Sequence, residues 1–432
     1  MLDYKKAKEF QLPDMPHAVR TYPASAGTTM MPLTPANNWT ATILFCGGSD
    51  IKANQWKPNW DIPNHTASAS CVSITPDVST DYQEEEDLPE GRSMGNLIML
   101  PNGKILMLNG AATGVAGYGN DSIAVGQSYA DNPLLTPIIY DPSAPKGQRW
   151  SRDGLSPSTI PRMYHSSATL LPDGSIFVAG SNPNADYTTD VKFKTEYRVE
   201  RFYPSYYNER RPQPQGLLTQ YSYGGPYFNV TLTKDDLSGN SANVNNTQVI
   251  IIRTGFSTHA MVSLPFLLIR HLCSLFTNWL SQNMGQRMLQ LENSYTVNND
   301  GSATLHVSQL PPNPAIFQPG PAREFTFLVA AIVSFAKTKI GSPLSVIFVV
   351  VNGVPSVGVQ VMLGSGQLET QKTLAIAPLP ASGVAPSADD NTSKTGDNRD
   401  QANGAPRTLS LDSISYLTLL LLVPLWTLLG GL

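Results

Sequence analysis

Residues Leu100–Ala111 read LPNGKILMLNGA, and residues Leu171–Ser181 read LPDGSIFVAGS. In each, an Asn-Gly or Asp-Gly pair separates two short apolar runs, a strong short-range signal for a β-hairpin. Each second run ends at glycine, as does the run Thr40–Gly48, TATILFCGG. Three such units in one stretch predict repeated antiparallel sheets, the blades of a propeller, rather than an ordinary meander. The marker glycines Gly47, Gly110 and Gly180 stand 63 and 70 positions apart (110 − 47 and 180 − 110).

That spacing exceeds the roughly 50 residues of a kelch repeat, so kelch-type blades here would carry long loops. Past about residue 205 the pattern changes. Phe228–Thr233 and Ala303–Val307 alternate, Val249–Ile252 is continuously apolar, and Phe348–Leu363 reads as a hairpin turning at Asn352-Gly353. Strands at this spacing predict an immunoglobulin-like sandwich. The fold class expected is all-β, with a partial propeller over 1–208 and a sandwich over 209–366. Composition agrees. Among 432 residues there are 33 glycines and 35 prolines, and only 14% are charged. The balance of 29 basic and 33 acidic residues gives a net charge of −4. That balance argues against an electrostatic nucleic-acid binder, which would show a basic patch or stripe.

Two apolar segments, 262–282 and 323–346, interrupt the sandwich pattern. The first contains Pro265, Arg270 and His271, which argues against a membrane span. Downstream, 367–410 is rich in small and polar residues and reads as a disordered stalk. The apolar tail 411–432 reads as a GPI-attachment signal or as a membrane span. Sequons begin at Asn38, Asn64, Asn120, Asn229, Asn245 and Asn391, which suits N-glycans and an extracellular or surface-anchored chain. The first ten residues hold no secretory signal, so the true N-terminus is expected to lie upstream. Of three cysteines, Cys46 and Cys71 form either a disulfide or a pair of buried thiols.

Chemistry-bearing motifs are few. The chain has no phosphate-binding glycine loop, HExxH, nucleophile elbow or CxxC pair. His165 follows Tyr164 in PRMYHSSATLLPDG, and His259 lies in GFSTHAM after the buried run. Both sit where strands meet loops, the positions at which scaffolds place function.

These segments, together with NGAATGVAGYGN (Asn109–Asn120), GQSYADNPLLTPIIYDP (Gly126–Pro142), TEYRVERFYPSYY (Thr195–Tyr207), NMGQRM and NGVPSVGVQVM, resemble the C-terminal part of glyoxal oxidases. Those are copper-radical oxidases related to galactose oxidase. The resemblance runs from about Leu12 to Gly364. It implies a kelch-type propeller, an immunoglobulin-like early set domain and one copper on the propeller axis. By motif, Tyr164 resembles the axial tyrosine ligand and catalytic base, and His165 and His259 resemble the two histidine ligands. The types suit copper, because imidazole and phenolate favour Cu(II) in tetragonal geometry. The resemblance further implies a small aldehyde substrate such as glyoxal or methylglyoxal, O₂ as acceptor, and H₂O₂ as product.

The sequence departs from that pattern in two ways. The family's cysteine-crosslinked radical tyrosine belongs to earlier blades, so this radical cofactor is expected to be absent and the chain inactive as written. Tyr118, in a glycine-rich loop, is a weaker substitute for the radical site. The segments 262–282 and 323–346 resemble translated introns. The rival expectation is a non-catalytic surface protein that binds carbohydrate or a protein partner.

Overall fold

The computed structural model describes residues 2–3, 6–51, 59–120, 123–257, 283–284, 286–319, 345–367 and 369–385. These residues are almost entirely strands and turns, with a few short 3₁₀ turns. Up to Ala385 the chain forms one compact unit.

Three antiparallel meanders follow one another along the first half. The first runs Gly27–Met30, Ile43–Cys46, Cys71–Ile74, Gln83–Glu84. The second runs Asn96–Met99, Ile105–Leu108, Ile138–Tyr140, Trp150–Ser151. The third runs Ser166–Leu170, Ile176–Gly180, Glu200–Phe202. Each pairs its neighbours in sequence order, as propeller blades do. Between the second and third strands of the middle blade, a long hairpin (Ala111–Tyr118 with Ser128–Pro133) projects as an insertion.

The middle blade is buried on both faces, which explains its unbroken apolar strands. Leu97, Ile105 and Met107 pack with Leu44, Cys46 and Cys71 of the first blade. Ile98, Leu106 and Leu108 pack with Ala168, Leu170 and Ile176 of the third. The pair expected at Cys46 and Cys71 is a disulfide, and it joins directly opposed residues of adjacent strands.

The second half is a two-sheet sandwich. One sheet is ordered Gln220–Tyr221, Val359–Leu363, Ser345–Val351, Thr247–Arg253, Arg287–Leu291. The other is ordered Phe228–Leu232, Ala303–Val307, Asn293–Val297, Gly383–Val384. Between them lie Val249, Ile251, Ile347 and Val349, facing Val230, Leu232, Leu305 and Val307. The alternate residues Ile250, Ile252, Val346 and Phe348 face the other way, onto the second and third blades. The central strands thus serve two cores, and Val249–Ile252 is apolar throughout for that reason. Asn352 and Gly353 turn the hairpin at Val351↔Val354 with left-handed φ values of 49° and 80°, the geometry that Asn-Gly favours.

Two boundaries need correction. The apolar segment ending at 346 overruns into the sheet, because Ser345 and Val346 pair with Arg253 and Ile252. The stalk begins later than 367. Thr373–Ile376 pairs parallel with Tyr223–Gly225, and Gly383–Val384 with Thr296–Val297. Both strands bury little side-chain surface, so backbone pairing holds them and composition gives no sign of it. The remainder of both apolar segments, the rest of the stalk and the tail lie outside the described residues. Among the described residues, no helix is long and apolar enough to cross a membrane.

Candidate metal centre

Each blade starts with an arginine that is buried and bonded to backbone. Arg20 donates to the Gly47 carbonyl at 2.6 Å, Arg92 to that of Asn109 at 3.1 Å, and Arg162 to that of Gly180 at 2.7 Å. The acceptors lie at the ends of the second strands, at or beside the glycines that mark the repeat. Arg162 is held further by Glu200 and by the Arg198 carbonyl. One arginine per blade therefore ties the blade's first strand to the end of its second. Two residues past each arginine come Tyr22, Met94 and Tyr164, and Met94 and Tyr164 share one buried cluster.

Tyr164 and His165 sit in the turn before Ser166–Leu170. Successive side chains of an extended strand point to opposite sides. His165 breaks that rule with φ of 65°, and its imidazole swings onto the Tyr164 ring. The two rings stack with centroids 3.8 Å apart. The His165 Nδ1 lies 2.8 Å from the Asn182 carbonyl oxygen. An acceptor there requires Nδ1 to carry the proton, which leaves Nε2 as the lone-pair nitrogen. Such a second-shell carbonyl is the usual means of aiming a metal-binding imidazole.

Tyr164 is 6% exposed. Burial, with smaller contributions from Tyr22 and Tyr118, pushes its hydroxyl well above the ordinary phenol range. Burial by itself thus favours the protonated phenol. A cation within bonding distance would reverse that preference. The rings of Tyr22 and Tyr118 lie 6.4 and 6.3 Å from Tyr164, and Tyr118 is also 6.3 Å from His165. Both rim tyrosines are partly exposed, so the recess opens to solvent over a phenolic rim.

The structure thus brings Tyr164 and His165 together, a phenol and an imidazole whose donor types suit Cu(II). His259 lies outside the described residues. The strand Phe256–Ser257, two residues before it, runs against Ser166–Leu170, the strand into which His165 leads. Among the described residues there is no group of three or more His, Cys, Asp or Glu side chains placed to hold a metal. Tyr118 lies in this recess, whereas Cys46 and Cys71 are committed to each other. The residue that sequence reasoning missed is Tyr22. Its signal was the shared spacing of Arg20-Thr21-Tyr22 and Arg162-Met163-Tyr164 ahead of blade strands.

Comparison with known proteins follows the same division. A family profile described as "Glyoxal oxidase N-terminus" matches residues 1–206. A second, "Galactose oxidase-like, Early set domain", matches residues 281–338 and so runs into the later apolar segment. Aldehyde oxidase GLOX1 of Arabidopsis thaliana is 31% identical over 365 residues, which cover 82% of this chain and 49% of that protein. Aldehyde oxidase GLOX of Vitis pseudoreticulata is 38% identical over 207 residues, covering 48% of this chain and 36% of that protein. The chain therefore spans about half, or less, of these relatives. The solved structure of a fungal alcohol oxidase of the AA5 family, in complex with copper, shares the fold at 17% identity. Its TM-score is 0.50, with 79% of this chain and 54% of that one covered.

Proposed function

The chain is a glyoxal oxidase-like protein, and from that premise we propose that it carries the copper-binding part of a copper-radical oxidase acting on small aldehydes. The observation that supports this reading is the stacked Tyr164–His165 pair, with His165 Nδ1 committed to the Asn182 carbonyl. Tyr164, His165 and His259 would hold one copper ion. Bound there, copper would supply a one-electron acceptor beside the substrate. The residues do the rest. His165 would present Nε2, the ring stack fixes the angle between the two donors, and the Tyr164 oxygen, as the phenolate that a neighbouring cation favours, would take up a hydroxyl proton of the hydrated aldehyde. The overall reaction oxidises an aldehyde with water and O₂ to a carboxylic acid and H₂O₂, with glyoxal and methylglyoxal as the substrates expected.

Cys46 and Cys71 are bonded to each other, so among the described residues no cysteine is available for the tyrosine crosslink of the family's radical cofactor. Copper binding without turnover is the behaviour proposed for the chain alone. The Cys46–Cys71 disulfide supports an oxidising compartment, and the tail 411–432 would anchor the chain at a membrane or wall. An equilibrium Cu(II) titration of the chain tests the proposal. It should show one site per chain, with His165→Ala and His259→Ala each weakening uptake at least tenfold. Unchanged uptake in both variants would sink it. H₂O₂ release with methylglyoxal should stay at background in the same preparation.

A further inference from the structure

A cavity of about 730 Å³ opens where the hairpin turn of the middle blade meets one end of the sandwich. It is distant in sequence from Tyr164 and His165 and shares no lining residue with their recess. Seven of its twelve lining residues carry carboxamides, among them Asn102, Asn245, Gln248, Gln290 and Asn293. The Tyr295 ring and the Thr247 and Ser382 hydroxyls add to the polar lining, and among the described residues no Asp, Glu, Lys, Arg or His contributes.

That inventory narrows the ligand. A charged ligand would meet no counter-charge, and an apolar one would strand amide groups without partners. A carboxamide offers two N–H donors and a carbonyl acceptor side by side, which matches neighbouring hydroxyls on a neutral polyol ring. The lining is also braced before anything binds. Asn293 donates to the Thr247 carbonyl, Asn245 to the Ala242 carbonyl, and Tyr295 to Asn245 Oδ1. The Tyr295 amide donates to Ser382 Oγ. A volume of this order lies within the range of pockets for small ligands.

A second observation points the same way. Asn245-Asn246-Thr247 is an N-glycosylation sequon, and all three residues line the cavity. A glycosylated Asn245 would keep its carbonyl for Tyr295 and one N–H for Ala242.

We propose that this cavity is a saccharide-binding site for a neutral sugar of one or two rings. The sugar comes either from a glycan on Asn245 itself or from a free or partner-borne saccharide. The inference goes beyond the oxidase reading and does not depend on it.

Two arms test it and separate the sources. In the first, the chain is made in a glycosylating secretory host and treated, folded, with peptide-N-glycosidase. Mass spectrometry then reads each sequon. A resident glycan would leave Asn245 resistant while Asn38, Asn64 and Asn229 are cleared, and Tyr295→Ala would make Asn245 sensitive. In the second, glycan-free chain from an oxidising, non-glycosylating host is titrated with N,N′-diacetylchitobiose and with maltose by ligand-observed NMR. Saturable binding of either sugar, weakened at least tenfold in Gln248→Ala/Gln290→Ala and unchanged in Tyr203→Ala, would support a free-ligand site. Should the double variant lose its circular dichroism signal, Tyr295→Phe replaces it and should weaken binding at least threefold. The proposal is overturned if Asn245 is empty or freely cleaved and neither sugar binds, or if binding ignores the cavity variants. Copper uptake is not involved in either arm, so a failure here leaves the oxidase reading untouched.

Discussion

His165 is held by its own backbone and by a residue fifteen positions on. A β carbon built on Gly180 would lie 2.6 Å from the His165 carbonyl oxygen, and Gly180 itself has φ of 75°. Gly180→Ala must therefore push the turn that aims His165 while straining its own backbone. A loss of about 1–3 kcal/mol is expected, together with weaker copper uptake in the titration above. Gly147→Ala is the control, because its φ is 91° but its β carbon would meet nothing within 4 Å. It should lower stability through its own backbone strain, by about 1–3 kcal/mol, and leave copper uptake alone. Tyrosines away from this centre set the alkaline limit. The Tyr206 and Tyr223 hydroxyls donate to the Gly174 and Phe317 carbonyls, and burial pushes both phenols above their ordinary value. Above about pH 10 the unfolded chain releases these protons while the folded chain keeps them. Stability should then fall by about 1.4 kcal/mol per pH unit for each group. Thermal unfolding followed from pH 9 to 11 should show the decline, with a shallower slope in Tyr206→Phe.

The hairpins and the disulfide are the elements on which the blades depend. Asn102-Gly103 and Asp173-Gly174 turn their strands as their dipeptides predict, with glycine φ values of 81° and 83°. Cys46 and Cys71 staple the two central strands of the first blade across a sequence separation of 25. A loop of that length corresponds to about 3.5 kcal/mol of unfolded-state entropy. Cys46→Ala/Cys71→Ala should lower unfolding stability by an amount of that order in a urea titration. A reductant should shift the midpoint of the original chain and leave the variant's unchanged. The third blade differs from the middle one in a legible way. Ser166–Leu170 alternates buried and half-exposed residues, whereas Asn96–Met99 is buried throughout. The hydropathy of each strand thus reports how many of its faces are covered.

At the scale of the molecule, blades and sandwich share one core. Phe348 is fully buried against the blades, and Val349, the next residue, is fully buried inside the sandwich. Gln286, almost fully buried, bridges the two halves. Its carboxamide accepts from the Met99 amide at 2.8 Å and donates to the Met99 carbonyl at 3.0 Å, across 187 residues of sequence. Gln286→Leu would leave both Met99 groups buried without those bonds, and a loss of about 2–4 kcal/mol is expected. Urea unfolding of the variant should show it. A blade and a sandwich that share this core should also melt together, so calorimetry of the unaltered chain should give a single main transition.

The hairpins, the glycine-ended strands, the alternating sandwich strands and the Tyr164-His165 motif were all legible in the sequence. Each is a local property, set by turn geometry or by side-chain period within a few residues. Tertiary structure alone decided the rest. Nothing local says that His165 turns its ring onto Tyr164, because that needs a left-handed backbone, Gly180 and the Asn182 carbonyl together. Nor does it say that Tyr22 joins them from 142 residues away, or that Thr373–Ile376 pairs with the sandwich. Those strands hold by backbone hydrogen bonds, which leave no hydrophobic trace. The amide-lined cavity is the same kind of result, for its walls come from a blade turn and the end of the sandwich. Sequence determined the elements, through forces that act between neighbours along the chain. Only the packed chain, through forces between distant residues, decided which side chains share a site.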